Sequence, residues 1–297
     1  MEKGLIQGLG YVALATDDLD AALQFYTRVG RFRVSERRDK TAFLRGGGTA
    51  HHWLRLDEAD QSACSRVAYR AVNEQALEEV TKRLDDWGIP WAEGGSAEED
   101  RVSRWVRFHD LNGMEFEVYI DMVELPLAGW STGVTMQELL HVGFYVESAA
   151  VSERFYREVL GFKTSDRVEG VVSLLRAENQ FHHSLVLLQS SDSIGKLDHF
   201  CVEVESIDDV MRARNNAVRA GMTLRNDLLR HSMSGSMGVY VVDPKHGNSM
   251  EFCHGHCKIT DPDYRPRSLK PSLDLLDMWQ TDLPEIPIPA ASSSSRL

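Results

Sequence analysis

Nowhere in the 297 residues do about 18 apolar residues follow one another, so no helical membrane span is expected. Cysteine is scarce. Cys64, Cys201, Cys253 and Cys257 are too few and too irregularly spaced for a disulfide framework. The opening MEKGLIQGLGYV lacks the apolar core of a secretory signal. Positive charge is in deficit, and a formal net charge of -12 disfavours nucleic acid and anionic membrane as partners. Phosphate-binding fingerprints are missing too: Gly46-Gly-Gly48 has no following Lys-Ser/Thr and is expected to be a hairpin turn. What remains is a cytoplasmic globular protein, 42% hydrophobic and 26% charged, with enough apolar material for a real core.

The chain repeats itself. Residues 11–26 align without a gap on 141–156, and the match continues to Phe32 and Phe162. Each copy opens with an alternating strand, has a capped start at Thr16 or Ser148, and goes on into a helix. In the second copy Val151, Phe155 and Val159 recur every four residues, which predicts one apolar stripe. A further echo sets His51-His52 against His182-His183, Val67 against His199, and Gly88 against Gly221. It also sets Asp110-Leu-Asn-Gly113 with Glu117 against Asp243-Pro-Lys-His-Gly247 with Glu251. Helices are expected over 76–87 and 207–220, each ending at a glycine.

The repeats predict an α+β chain of two similar domains, each of two βαβββ modules in a curved mixed sheet around a central cup. The expected boundaries are a first domain at 1–122, a linker at 123–136, a second domain at 137–257 and an extension at 258–297. The extension carries Pro262, Pro266, Pro271, Pro284, Pro287 and Pro289, and its last eight residues are expected to be disordered.

Three residues of the second half carry chemistry. His141 and His199 sit at equivalent strand positions, and Glu251 follows Gly247 in the last strand of the same half. Two imidazoles and a carboxylate on one inner surface form a facial triad suited to Fe(II), with positions left open for other ligands. The first half supplies an internal control. Its counterparts, taken as Tyr11, Val67 and Glu117, cannot make such a site, so the first domain is expected to be a metal-free scaffold.

With these elements in order, the chain resembles the type I extradiol ring-cleavage dioxygenases of the vicinal-oxygen-chelate superfamily. The resemblance runs through the His141 strand, the Phe155-Tyr156 helix, the Leu160-Gly161-Phe162 turn and the His182-His183 pair. It continues through the His199 strand, the segment from His231 to Tyr240, and Gly247 leading to Glu251. It implies Fe(II), or Mn(II), on His141, His199 and Glu251, a catecholic substrate cleaved with O2 beside its hydroxyls, and homo-oligomeric assembly. It further implies His183 as acid–base residue near oxygen, and His231 and Tyr240 as hydrogen-bonding partners of the substrate's ring oxygens. Two features depart from the pattern. Residues 232–236, Ser-Met-Ser-Gly-Ser, replace a stretch that often carries Asn and Asp. Cys253, His254, His256 and Cys257 form an unusual cluster, open to a zinc or redox reading but without a second CxxC-like pair. Other functions on the same scaffold are a glyoxalase-like isomerase or transferase and a metal-free small-molecule binding protein.

Overall fold

The computed structural model describes residues 4–127 and 133–279; part of the expected linker and the serine-rich terminus lie outside the described residues. Four modules follow one another, each a strand, a helix and three strands. The first is β1 (Ile6–Thr16), α1 (Leu19–Arg28), β2 (Arg33–Arg37), β3 (Thr41–Arg45) and β4 (Leu54–Glu58). The second is β5 (Ala63–Ala71), α2 (Glu74–Asp86), β6 (Trp91–Ser96), β7 (Val102–His109) and β8 (Glu115–Met122). The third is β9 (Met136–Val146), α3 (Ala149–Leu160), β10 (Lys163–Val168), β11 (Val172–Arg176) and β12 (Leu185–Gln189). The fourth is β13 (Leu197–Val204), α4 (Ile207–Arg219), β14 (Leu224–Arg230), β15 (Met237–Val242) and β16 (Ser249–His254). A short β17 (Arg267–Leu269) comes last.

The two halves are built alike. The first sheet runs β2-β3-β4-β1-β5-β8-β7-β6, and the second repeats that arrangement as β14-β15-β16-β13-β9-β12-β11-β10, with β17 added beside β10. In each, the first strands of the two modules pair antiparallel at the centre, β1 with β5 and β9 with β13. The α+β class and the duplicated βαβββ plan read from the repeats are what the chain adopts.

Local chemistry explains the helices. Asp18, Asn73, Ser148 and Ser206 each accept a backbone N–H of the first turn through the side chain. Thr16 is therefore not the cap of α1. It ends β1, and Asp18 takes the capping role two residues later. In α3 the stripe turns by one position as well. Phe155, Tyr156, Val159 and Leu160 are buried, whereas Val151 is 55% exposed. Gly161 ends that helix at φ 71°, a left-handed conformation that favours glycine.

One apolar core serves both halves. Phe116 lies 5.8 Å from Phe144 and 5.3 Å from Tyr156 between ring centroids, and Tyr26 lies 6.1 Å from Phe200. The sheet faces turned away from this core hold the polar chemistry. On the first sheet that face is filled: Tyr11 donates to Glu117 at 2.9 Å, and Arg107 holds the other carboxylate oxygen at 2.7 Å.

Candidate metal centre

His141 lies in β9, His199 in the adjacent β13 and Glu251 in β16 on the far side of β13. The register sets Cys201 opposite both His141 and Glu251, and His199 opposite Gly143. His199 Nε2 lies 3.1 Å from His141 Nε2, and Glu251 Oε2 lies 3.2 Å from the latter and 3.8 Å from the former. Ligand atoms held at about 2.1 Å around one octahedral ion sit about 3 Å apart, so these edges match one face of such an ion.

Two further observations fit a cation. Glu251 is fully buried, yet neither carboxylate oxygen has a hydrogen-bond partner among the described residues; beyond the two ligand imidazoles, His231 Nε2 stands 3.7 Å away. A buried carboxylate without a counter-charge is strongly destabilising. Glycines also make room for the ligands. A Cβ at Gly143 would meet the His199 ring at 2.5 Å, and one at Gly238 would meet Glu251 Oε1 at 3.0 Å. Burial would raise the Glu251 pKa, but the His141 and His231 imidazoles facing the carboxylate hold it well below the usual range. Burial pushes His141 down to about 4, which leaves its nitrogen lone pair free for a metal.

The supports around the ligands are uneven. His199 Nδ1–H donates to Asp198 at 2.6 Å, and Arg225 holds that carboxylate at 2.6 and 3.0 Å. Such a carboxylate fixes the tautomer of a metal-binding imidazole. Burial opposes the charge on Asp198, but His199 and Arg225 outweigh it and keep the carboxyl ionised. His141 Nδ1 has no partner.

The triad opens into a cavity of about 450 Å³. His183 stands on the His141 side, with ring centroids 4.3 Å apart. His231 and Tyr240 stand on the His199 side, Tyr240 5.4 Å from the His199 ring. Tyr240 lies 2.9 Å from His231 Nε2, and His231 Nδ1 lies 2.8 Å from the carbonyl oxygen of Leu276. A carbonyl only accepts, so Nδ1 carries the hydrogen and Nε2 accepts from Tyr240. Burial and the Glu251 charge push the Tyr240 pKa well above 10, so the phenol stays neutral. Burial, with the imidazoles of His141, His256 and His182, pushes His183 well below its ordinary value. The remaining walls are mostly apolar, built from Val168, Val172, Leu174, Val186, Leu275 and Leu276, with Asn226, Ser234 and Ser272 as polar exceptions.

The structure corrects one equivalence and disperses one cluster. Val67 pairs with Val12 and Phe116 and points into the shared core, as Phe200 does. The true counterpart of His199 is Arg66, opposite Ala13 as His199 is opposite Gly143. Arg66 lies 3.7 Å from Glu117, so a guanidinium stands where the second half has a ligand. Of the Cys/His cluster, Cys253 lies 3.2 Å from Cys201 and 3.1 Å from Glu203, and His254 turns to the Val204 carbonyl. Cys257 is exposed, and all four cysteines are free. His256 alone comes to the site, buried with its ring 4.4 Å from His183 and 5.6 Å from His141. Sequence reasoning had no periodic signal for it, because it lies beyond the end of β16, after a glycine at φ 80°.

Comparison with known proteins bears on the family and the fold. The family described as Glyoxalase/Bleomycin resistance protein/Dioxygenase superfamily matches residues 8–118 and again 138–252. A manganese-dependent 2,3-dihydroxybiphenyl 1,2-dioxygenase from Geobacillus genomosp. 3 is 25% identical over 283 residues, covering 88% of this chain and 89% of the relative. An iron-dependent extradiol dioxygenase from Rhodococcus jostii (strain RHA1) is 26% identical over 281 residues, covering 84% and 90%. Among solved structures, the Mn(II)-bound glyoxalase from Novosphingobium aromaticivorans superposes with a TM-score of 0.83 at 22% identity, covering 93% of this chain and 91% of the other. The resemblance to extradiol dioxygenases read from the sequence therefore holds across most of the length. Matched separately in its two halves, the chain belongs to the Glyoxalase/Bleomycin resistance protein/Dioxygenase superfamily.

Proposed function

We infer that the chain is an extradiol dioxygenase that opens a catechol ring beside its two hydroxyls with O2, using Fe(II) or Mn(II) held by His141, His199 and Glu251. The observation that carries this is the unpartnered, fully buried Glu251 carboxylate 3.2 Å from His141, at the base of an apolar cavity whose polar groups include His183, His231 and Tyr240. When bound, the ion lowers the pKa of coordinated hydroxyls and activates ring and oxygen at one centre.

The chain's own groups divide the remaining work. His231, fixed by the Leu276 carbonyl, offers Nε2 to a catechol hydroxyl. Tyr240 is neutral and can turn its hydrogen from His231 to the oxygen left behind. On the opposite side His183 holds or returns a proton at Nε2, the nitrogen not engaged by His182. The apolar walls exclude water and suit a neutral catechol carrying an apolar substituent. Arg225, the cation of the lining, is already committed to Asp198 and stacked 5.0 Å over Tyr240, so it is poorly placed to receive a substrate carboxylate.

In this reading residues 137–257 are the catalytic domain, 1–122 a metal-free scaffold, 123–136 the linker and 258–297 an extension, of which Pro271, Ser272, Leu275 and Leu276 line the cavity. Assembly into a homo-oligomer and a reducing cytoplasmic setting belong to the same reading, the latter supported by four free thiols. Among the described residues, no helix is long and apolar enough to cross a membrane. An oxygen electrode, followed in parallel by absorbance of the yellow ring-opened product, tests the activity. Phenyl- or alkyl-substituted catechols should consume O2 one-for-one and outperform carboxylated ones. A chain that isomerised a thiol adduct of a ketoaldehyde without consuming O2 would instead be a glyoxalase.

A further inference from the structure

His183 is backed by a hydrogen-bonded line that leads away from the cavity. Its Nδ1 lies 3.1 Å from Nδ1 of His182, and His182 Nε2 lies 2.9 Å from Oδ2 of Asp166. The Asp166 side chain is fully buried and that of His182 is 1% exposed. Asp166 also accepts from the Arg267 backbone N–H at 3.1 Å and from its Nε at 2.9 Å. A carboxylate has no hydrogen to give. His182 Nε2 must therefore carry the hydrogen, and a His182 with one proton keeps its lone pair at Nδ1. That lone pair takes the Nδ1 hydrogen of His183. The nitrogen His183 has left, Nε2, then faces the cavity as a lone pair.

We propose that Asp166 and His182 are positioning residues for His183, holding it as the Nδ1–H tautomer so that Nε2 meets the substrate as an acceptor. The proposal rests on the ring-cleavage reading of that cavity. His256 supports the same pose, since its Nε2 lies 3.4 Å from the His183 backbone N–H.

The first half contains the same line with nothing to act on. Glu36 lies 3.2 Å from His51 Nε2, His51 Nδ1 lies 3.2 Å from His52 Nδ1, and Arg101 holds Glu36 as Arg267 holds Asp166. His52 faces Tyr11, at 4.5 Å between ring centroids, where His183 faces His141. A purely structural dyad would matter equally in both halves. A positioning dyad would matter for turnover only in the second.

The decisive variants are Asp166→Asn, Asp166→Glu and Glu36→Gln. An amide at 166 can donate to His182 Nε2, which would invert both imidazoles and turn a hydrogen of His183 toward the cavity. Histidine ¹⁵N NMR of the full-length zinc-loaded protein reads the tautomers directly, and catechol kinetics read the consequence. Asp166→Asn should flip both tautomers and lower kcat by roughly 10²–10⁴-fold, the scale of a mis-set catalytic imidazole, while KM and metal content stay near wild type. Asp166→Glu should retain the tautomers and most of kcat. Glu36→Gln should leave kcat intact, which separates tautomer control from a structural role shared by both halves. Should Asp166→Asn fail to fold, His182→Gln should show the same fall in kcat with KM kept. Unchanged tautomers in Asp166→Asn, or an equal loss of kcat in Glu36→Gln, would overturn the proposal. The NMR arm does not depend on turnover. A wild-type chain inert toward catechols would remove the ring-cleavage reading and leave the tautomer result to be judged by itself.

Discussion

Tyr26 donates its hydroxyl hydrogen to Asp243, 217 residues along the chain, and Tyr156 makes the reciprocal bond to Asp110 at 2.7 Å. Each half thus reaches from its first helix into a turn of the other. Both aspartates also shape their turns: Asp243 accepts the Lys245 N–H and Asp110 accepts those of Asn112 and Met114. A buried hydroxyl bonded to a charged group contributes about 1.5–3 kcal/mol. Tyr26→Phe and Tyr156→Phe should each lower urea stability by that amount. A double-mutant cycle of Tyr26→Phe with Asp243→Asn should show strong coupling. Simple additivity would mean that the two groups do not act together.

That clasp was legible in the sequence as its parts. The Phe-Tyr pairs and the Asp-to-Gly turns stood out as repeats, because each recurs at the same place in both halves. Their pairing was not legible, since nothing local says which turn a tyrosine will meet. The error at Val67 has a different cause. Setting Val67 against His199 slid β5 by one position against β13, and strand side chains alternate faces with a period of two. The slip moved a core valine onto the site face and hid Arg66. Asp198 and Asp166 were missed because second-line carboxylates carry no spacing rule. Asp198 could have been flagged by the Asp-His dipeptide it forms with His199.

Arg66 and Arg107 give the buried glutamate of the first half counter-charges from the protein itself. Arg107 bonds Glu117 at 2.7 Å, and Tyr11 supplies a hydroxyl at 2.9 Å. Glu117→Gln would remove the carboxylate that Arg66 and Arg107 share, leaving them Glu115 and Asp100, and should cost about 1.5–3 kcal/mol, the scale of a charged hydrogen bond. It should not alter metal content. Elemental analysis should find about one ion per chain, a number set by the one facial triad. His199→Ala should abolish it while circular dichroism stays native. Two tightly held ions in the wild type, or a full complement in His199→Ala, would contradict the assignment.

Gly143 is the cheapest place to test the ligand geometry without touching a ligand. Its missing side chain is what lets the His199 imidazole lie across β9, since a Cβ there would sit 2.8 Å from Nδ1 as well. Gly143→Ala should push the ring off its position and weaken metal affinity by roughly 10–100-fold, as loss of an orienting contact does. Metal titration against a competing chelator measures this. Unchanged affinity would show that the ring has another seat.

Glu36 sets an acid limit on the first half. Hydrogen bonding from Arg101, and then from Arg38, lowers its pKa from 4.5 to about 2 against a smaller cost of burial. Because the folded value lies below the unfolded one, protonation favours the unfolded chain. The stability it contributes is whole above about pH 4.5 and drains away as pH falls toward 2. Urea midpoints of wild type and Glu36→Gln should therefore differ at pH 6 and converge as pH drops below 4.5. A gap that stayed constant would mean that Glu36 acts through shape alone.

The extension is more than a tail. Its backbone is tied to the β14–β15 turn: Ser232 donates to the Leu275 carbonyl, Asp277 accepts the Arg230 N–H at 3.1 Å, and Met278 donates to the Arg230 carbonyl at 2.8 Å. Within that lattice the Leu276 carbonyl fixes His231, while Leu275 and Leu276 supply apolar wall. Cutting the chain after Lys270 should remove both effects and keep the triad. Metal content should stay near one ion per chain. KM for an apolar catechol should rise by roughly 10–200-fold, the range for losing apolar pocket contacts, with a smaller change for unsubstituted catechol. Restoring only the backbone, with Leu275→Ala and Leu276→Ala in the full chain, separates the two contributions. That variant keeps the carbonyl on His231, so kcat should hold while KM for the substituted substrate rises. If kcat fell as far as in the truncated chain, the leucine side chains and not the carbonyl would be what positions His231.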